Sequence, residues 1–531
     1  MREMCKRIWA EDRQKLTVSF ISTFVFGLIA HAYGLLNNIF SHDSLDAIYA
    51  DGSENLVKIS VGRFLVPVIR TLRGPIAIPW LIGIIALVFI ALSVYTVLKL
   101  FDVKSVPASV LIAGIMTTNV TVTAVIGTYV HEFDFDMLAL LLSCIAVYLW
   151  RNARKITALI PAALIAAASM AIYQSYVQVT VTLIIMLLIL DTLDGCDVKN
   201  VLINGIKGAG TVAVGAGIYF VINSVLLKVF ATAQLDRVNI LGEYEESLFK
   251  RIFLMFKSVA VSFLSPAGVI PTVVIAVINA AVFALIAVLV IVAWKNGKLK
   301  AKSCVFTVFL FGLLLVGLNF VRVLSHDEAH DVMKYSFWFV YVFAVVLAVK
   351  YADFGKFCKA AAFVLTAVIV WNGVLVSNTA YLKKDLELTA TLSAYNRIIT
   401  DLEETDGYKV GETEIAFTGK LSVMKQSAAF RNVSHIIGLN NTTAAGSTAH
   451  TDYYNPYIAM FKYDLNYPIV ISDKDFRDDS RVEKMPSYPQ KGYIQFIDGV
   501  LVVKLGDKKE GNSGMSNIEY DLRRVKDFIT E

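Results

Sequence analysis

The chain has 531 residues, a mean hydropathy of +0.62, and 56% hydrophobic against 18% charged residues, too few charges for a soluble protein of this size. Its formal charge of +5 is unevenly spread: residues 381–531 hold 19 Lys/Arg against 22 Asp/Glu, and the rest of the chain holds 30 against 22. A basic membrane part and a mildly acidic tail account for that pattern, which excludes a nucleic-acid footprint.

Repeated apolar stretches of about 20 residues, each able to cross about 30 Å of hydrocarbon as a helix, set the class: a polytopic α-helical membrane protein. The opening MREMCKRIWAEDRQK is basic, and the apolar run after it, over 16–36, is too long for a signal h-region and lacks an A-x-A site. It is expected to be a first transmembrane helix that also targets the chain. Next comes FSHDSLDAIYADGSENL (40–56), which places His42, Asp43 and Asp46 at the membrane mouth. VGRFLVPVIRTLR (61–73) then puts Val61, Phe64, Leu65, Val68, Ile69 and Leu72 on one helical face and Arg63, Arg70 and Arg73 on another. A helix lying on the membrane surface with its cations wet is expected there.

Spans follow over 76–98 and 106–127. Between 106–127 and the next span, 137–150, lies TYVHEFDFDM, with His131, Glu132, Asp134 and Asp136. Three carboxylates this close repel one another, which favours a raised pKa or a nearby cation or metal. Asp136 reads as an acid decorating a helix N-terminus, a placement worth roughly 0.3–1 kcal/mol. Glu132 and Asp134 are candidates for function. Asp134-x-Asp136 also resembles the D-x-D of nucleotide-sugar transferases, but those donors are cytoplasmic and this loop is expected outside.

Further spans are expected over 155–170, 178–190, 208–228, 270–294, 303–321, 335–349 and 360–379, making about eleven. MAIYQSYVQ (170–178) carries Tyr173 and Gln174, an amide and a ring suited to sugar hydroxyls and apolar sugar faces; an interfacial aromatic belt would explain the tyrosines alone. ESLFKRIFLMFKSVAVSF (246–263) is a second candidate surface helix, with Phe249, Phe253 and Phe256 set against Lys250, Arg251 and Lys257. RVLSHDEAHDVMKY (322–335) offers Arg322, His326, His330 and Lys334 for a lipid phosphate. His326 and His330 also have the i, i+4 spacing of metal ligands, but without a clear third ligand a divalent metal is the weaker reading, and no cofactor is expected.

The tail, 381–531, is expected to be a separate soluble domain of α/β or α+β class, following a membrane domain of 1–380. It opens with a helical stretch, and GYIQFIDGVLVVKLG carries an Asp-Gly hairpin signal. With the N-terminus placed in the cytoplasm, 19 of the 30 membrane-part cations fall on the inner side, as the positive-inside rule asks. The odd span count then puts the tail outside. All histidines but His31, which lies toward the outer end of the first span, fall on outer loops or in the tail, and cysteines Cys5, Cys196, Cys304 and Cys358 fall inside. Apart from His31 the central part of each span is empty of ionisable groups. Coupled transporters place acids or broken helices there, so an enzyme at the outer leaflet is favoured over a lipid-sugar transporter.

The stretches SHDSL, GRFLVPVIRTLRGPIAIPWLIG, TYVHEFDFDMLALLL, YQSYVQ and YPQKGYIQFIDGVLVVKLG together resemble the bacterial membrane glucosyltransferases of the Gtr type II family, typified by serotype-converting O-antigen enzymes, within the wider GT-C group of integral membrane glycosyltransferases. The resemblance implies a bacterial cytoplasmic-membrane enzyme that takes a glucosyl unit from a polyprenyl-phosphate donor at the outer face and passes it to a surface polysaccharide. It implies an acid of the first outer loop as general base on the acceptor hydroxyl, which is Asp43 or Asp46 here. Glu132 and Asp134 would then orient sugar or acceptor. Arg63, Arg322, Lys334 and His326 would bind phosphate, and His42, His131, Tyr173 and Gln174 the sugar. A transferase using another sugar, or a lipid or protein acceptor, would share these features. A polysaccharide polymerase or ligase remains a further alternative.

Overall fold

In the computed structural model, the described residues are 2–39, 44, 53–234, 246–266, 269–325, 330–351, 356–419, 421, 433, 461, 465–476 and 478–506. Among them the chain is mostly helical. Eight helical runs are long and apolar enough to cross a membrane: Glu11–Leu36, Pro79–Leu100, Val106–Asn152, Gln174–Leu193, Val198–Val229, Thr272–Asn296, Ala301–Asn319 and Phe357–Glu403. These runs do not by themselves confirm the expected count of about eleven. The expected spans over 106–127 and 137–150 fall in one 47-residue run, and Ile156–Ile172 and Tyr335–Tyr351 are shorter apolar helices.

The chain divides into two compact units. The first comprises 1–36, 50–126 and 130–378. It contains α1 (Arg2–Leu36, up to its last residue), α2 (Ser53–Ser60), α3 (Leu65–Arg73), α4 (Pro79–Leu100) and α5 (Val106–Thr118). It continues with α6 (from Val120), α7 (Phe133–Asn152), α8 (Ile160–Ile172), α9 (Val177–Leu193), α10 (Val198–Val229) and α11 (Leu248–Leu264). α12 (Thr272–Asn296), α13 (Ala301–Asn319), the short α14 (Val321–Leu324), α15 (Phe339–Tyr351) and the first half of α16 (Lys356–Glu403) complete it.

Asn119 explains why 106–127 is not one straight helix. Its backbone is extended, its side-chain oxygen accepts from Val122 N at 3.1 Å, and its amide donates to the carbonyls of Ile115 and Met116. One residue thus closes α5 and caps α6. His31 is a core residue: its Nε2 lies 2.8 Å from the Thr117 carbonyl and ties α1 to α5. Small side chains let helices approach. Ala166 and Ala167 of α8 pack with Tyr219 of α10, and a Cβ on Gly215 would meet the Ala163 carbonyl at 2.8 Å. At their C-terminal ends α7 and α9 are clasped by Arg151, which forks both oxygens of Asp191 at 2.5 and 2.6 Å.

The cations of 61–73, expected to stay wet, meet protein acids instead. On α3 the Arg70 side is buried, at 6% exposure, while Leu72 is 84% exposed and Val68 is exposed as well. A helix against a lipid environment gains nothing by hiding apolar groups from it, so the cations turn toward protein acids instead. α11 buries Met255, Val259 and Phe263 and leaves Phe249, Phe253 and Phe256 outward beside Lys250.

The second unit comprises 37–49, 127–129 and 379–531. A four-stranded sheet, ordered β2-β1-β4-β3, is built from β1 (Glu414–Thr418), β2 (Val470–Ile471), β3 (Ile494–Ile497) and β4 (Val500–Lys504). β1 pairs in parallel with β2 and β4, and β3 pairs antiparallel to β4. Asp498 and Gly499, both at positive φ, make the two-residue turn between β3 and β4. Central β4 is buried throughout, and Ala416, Ile497, Val500 and Val502 pack on Phe476, Val482 and Met485, the last two at α17 (Ser480–Lys484) and its end. The C-terminal half of α16 joins this unit: Tyr395 stacks on Phe461 at 4.9 Å, and Tyr493 donates to Asp401 at 2.6 Å. In the same unit Ser44 donates to the Thr128 carbonyl at 2.9 Å, and Lys384 donates to the Gly127 carbonyl.

Candidate active site

The site lies within the first unit, where the segment from α2 to α3 meets the 3₁₀ turn Val130–Glu132 and the start of α7. The turn between α2 and α3 depends on Gly62, at φ +76°. A side chain there would strike the Tyr219 hydroxyl and sit 2.7 Å from Gln174 Nε2. That close approach lets Gln174 donate to the Val61 carbonyl at 2.7 Å and to the Tyr219 hydroxyl at 2.8 Å, while Phe64 stacks on the Tyr219 ring at 5.8 Å.

Fixed in this way, the segment aims its cations at the acids. Lys58 pairs with Glu132 Oε1, and Arg63 Nη1 reaches Glu132 Oε2 at 3.0 Å. Arg73 Nη1 bonds Asp134 Oδ1 at 2.8 Å and the His131 carbonyl at 2.8 Å. Arg70 is buried beside them and donates to Asn55 at 3.5 Å. Two guanidinium groups also lie over rings: Arg63 over Tyr173 at 4.3 Å and Arg73 over Phe135 at 4.4 Å. Burial lowers the Arg73 guanidinium from its ordinary value, and Asp134 opposes that shift. Lys58, Arg63, Arg70 and Arg73 thus face Glu132, Asp134 and Asp136, one positive charge in excess.

Asp136 lies in the first turn of α7, the helix start expected for it, but it is buried: it is 5% exposed, and among the described residues it makes no hydrogen bond or ion pair. The charges acting on it are those of Glu132, Arg63, Lys58 and Asp134. Tyr173 and Tyr176 lie within its field, their rings edge to face at 5.9 Å, and Tyr176 packs on Tyr335 at 6.0 Å. The Tyr176 hydroxyl is buried without a partner. One signal for Asp136 was legible: four residues from Glu132, it shares a helical face with it. Nothing in the sequence ties Lys58 or Arg73 to acids more than 60 residues later.

The structure brings together Arg63, His131, Glu132, Asp134, Tyr173 and Gln174. Gln174 is spent on positioning, since both its bonds go to Val61 and Tyr219. His131 Nε2 lies 3.8 Å from Glu132 Oε1, so this side chain borders the cation cluster. Arg322 and Lys334 pair with other acids. Arg322 pairs with Glu246 at 3.3 Å and Lys334 with Asp331 at 3.2 Å. Burial works against the Glu246 charge, but Lys250 and Arg322 hold its carboxyl below its ordinary value. His42, Asp43, Asp46 and His326 lie outside the described residues. Among the described residues no group of three or more His, Cys, Asp or Glu could hold a metal ion.

Comparison with known proteins gives one match: the model of the family described as glucosyl transferase GtrII aligns with residues 32–351, which include every residue of this cluster. No curated protein and no solved structure matches the chain.

Proposed function

We propose that this chain, which belongs to the glucosyl transferase GtrII family, transfers a glucosyl unit from a polyprenyl-phosphate-linked donor to a surface polysaccharide at the outer face of the bacterial cytoplasmic membrane. The observation that carries the reading is the buried cation cluster with one positive charge in excess, set beside an aromatic shelf of Tyr173 and Tyr176. A glycosyl phosphodiester suits such a place. Its phosphate takes the surplus charge of Lys58, Arg63 and Arg70, and a ring packs against the sugar's apolar face.

The chemistry required is modest. The bond between the anomeric carbon and phosphate oxygen breaks, the acceptor oxygen bonds to that carbon, and the acceptor proton leaves to a carboxylate. The polyprenyl phosphate departs with the bonding pair and is steadied by the cations. Family resemblance assigns the base to Asp43 or Asp46. Glu132 and Asp134 hold the cations in register rather than meeting substrate, because each is already occupied by a lysine or an arginine. The excess of cations on the other side of the membrane part supports the outer placement.

The test is direct. Purified protein in lipid nanodiscs, supplied with glucosyl phosphoryl-polyprenol and polysaccharide acceptor, is expected to yield glucose bound to polymer. Arg63→Ala should lower that transfer by about 100-fold, within the range of lost charge-assisted contacts to a leaving group. Labelled glucose that stays on the lipid, or that crosses the membrane without covalent transfer, would overturn the reading.

A further inference from the structure

Beside the aromatic shelf the Asp136 carboxyl, on a residue 5% exposed, makes no hydrogen bond or ion pair among the described residues. The Tyr176 hydroxyl, on a side chain 1% exposed, is fully buried without a partner among them. The two belong to different elements, the first turn of α7 and the 3₁₀ turn Gln174–Tyr176, which are tied where Ser143 of α7 donates to the Tyr176 carbonyl at 3.0 Å. A phenol buried without a partner carries a desolvation cost that no protein group repays. A fold that tolerates such a cost leaves the group to be met by something else.

Three features limit what that is. The neighbouring charges of Lys58 and Arg63 disfavour a metal cation. A second phosphate would meet the Asp136 carboxylate. A neutral group that both donates and accepts satisfies an acid and a phenol together, and hydroxyls on adjacent carbons do so with the ring between them resting on an aromatic edge. Asp136 also lies one helical turn beyond Glu132, roughly 6 Å along the helix, about the reach of one pyranose ring from the cations.

We propose that Asp136 and the Tyr176 hydroxyl form the hydroxyl-binding pair that receives the hexose of the lipid donor and selects its configuration. This rests on the function proposed above. Asp136 accepts from a sugar hydroxyl, Tyr176 bonds to the adjacent one, and Gln174 stays outside the sugar site as a brace for the α2–α3 turn.

The experiment uses the full chain in nanodiscs with donors carrying glucose, its 4-epimer, and singly deoxygenated glucoses. Asp136→Asn and Tyr176→Phe are compared with the unaltered protein, and thermal unfolding checks that each variant folds. For the glucose donor, Asp136→Asn and Tyr176→Phe are each expected to lose about 10-fold in kcat/KM, the value of one buried hydrogen bond. The loss should vanish for the deoxy donor that lacks the paired hydroxyl, because enzyme and substrate changes then remove the same bond. Equal loss across all donors, or wild-type rates with all of them, overturns the proposal. If Asp136→Asn does not fold, Tyr176→Phe decides by the same criterion. Failure of the unaltered protein to transfer from any polyprenyl-phosphate sugar sinks the function first, a result distinct from unselective variants of an active enzyme.

Discussion

Glu132 concentrates the electrostatics of the site in one side chain. It is buried, and each of its oxygens meets a cation, Lys58 on one and Arg63 on the other. Removing one member of a buried pair is far costlier than never having built it, because the survivors keep their desolvation penalty. Glu132→Gln strands two cations, though both are a little more exposed than the acid. The expected loss is about 3 kcal/mol, at the lower end of the range for such pairs. Thermal unfolding in detergent measures it, and an unchanged midpoint would show that the cluster is not needed for the fold. Replacing Lys58 by Met in the same background should restore part of the loss, since it removes one stranded charge.

At the scale of elements, the short segment from α2 to α3 is where sequence and structure part company. Its amphipathic period is legible, and so are Arg63, Arg70 and Arg73, but not that these cations meet protein acids rather than water. Periodicity finds the two faces of a helix; it does not say what each face meets. Asp136 is legible as part of a helix start, and its burial is not. Helix positions for Pro79–Leu100 and Thr272–Asn296, by contrast, follow from long apolar runs with nothing to interrupt them. The turn inside the segment gives a sharp prediction. Gly62→Ala adds a methyl group against Tyr219 and Gln174 at a positive φ. It should cost about 2–4 kcal/mol in strain and overpacking together. Glucosyl transfer should fall with it, and Gly62→Ala activity equal to the unaltered protein would remove the turn from the argument.

For the molecule as a whole, the family match and the membrane-length helices make this a membrane glucosyltransferase, with donor, acceptor and sidedness as proposed. The second unit is more than a C-terminal appendage, because it takes in 37–49 and 127–129. No composition boundary announces that. The break in charge at about 380 is visible in the sequence, but the long-range partners of these two stretches are not. Truncation after Asn378 should therefore do more than shed a soluble piece. It deprives the Gly127 carbonyl of Lys384, a loss of about 1–3 kcal/mol, and the thermal midpoint of the remaining chain should drop. An unaltered midpoint would mark the tail as dispensable for folding.

The cation–acid docking also sets a timetable for biogenesis. Arg63 leaves the ribosome 69 residues ahead of its counter-charge on Glu132. At about 5–20 residues per second the nascent chain waits roughly 3–14 s before that acid follows it out. Through that interval the α2–α3 segment has to rest its guanidinium groups on lipid phosphates or water, and its final seat is created by a helix that arrives later.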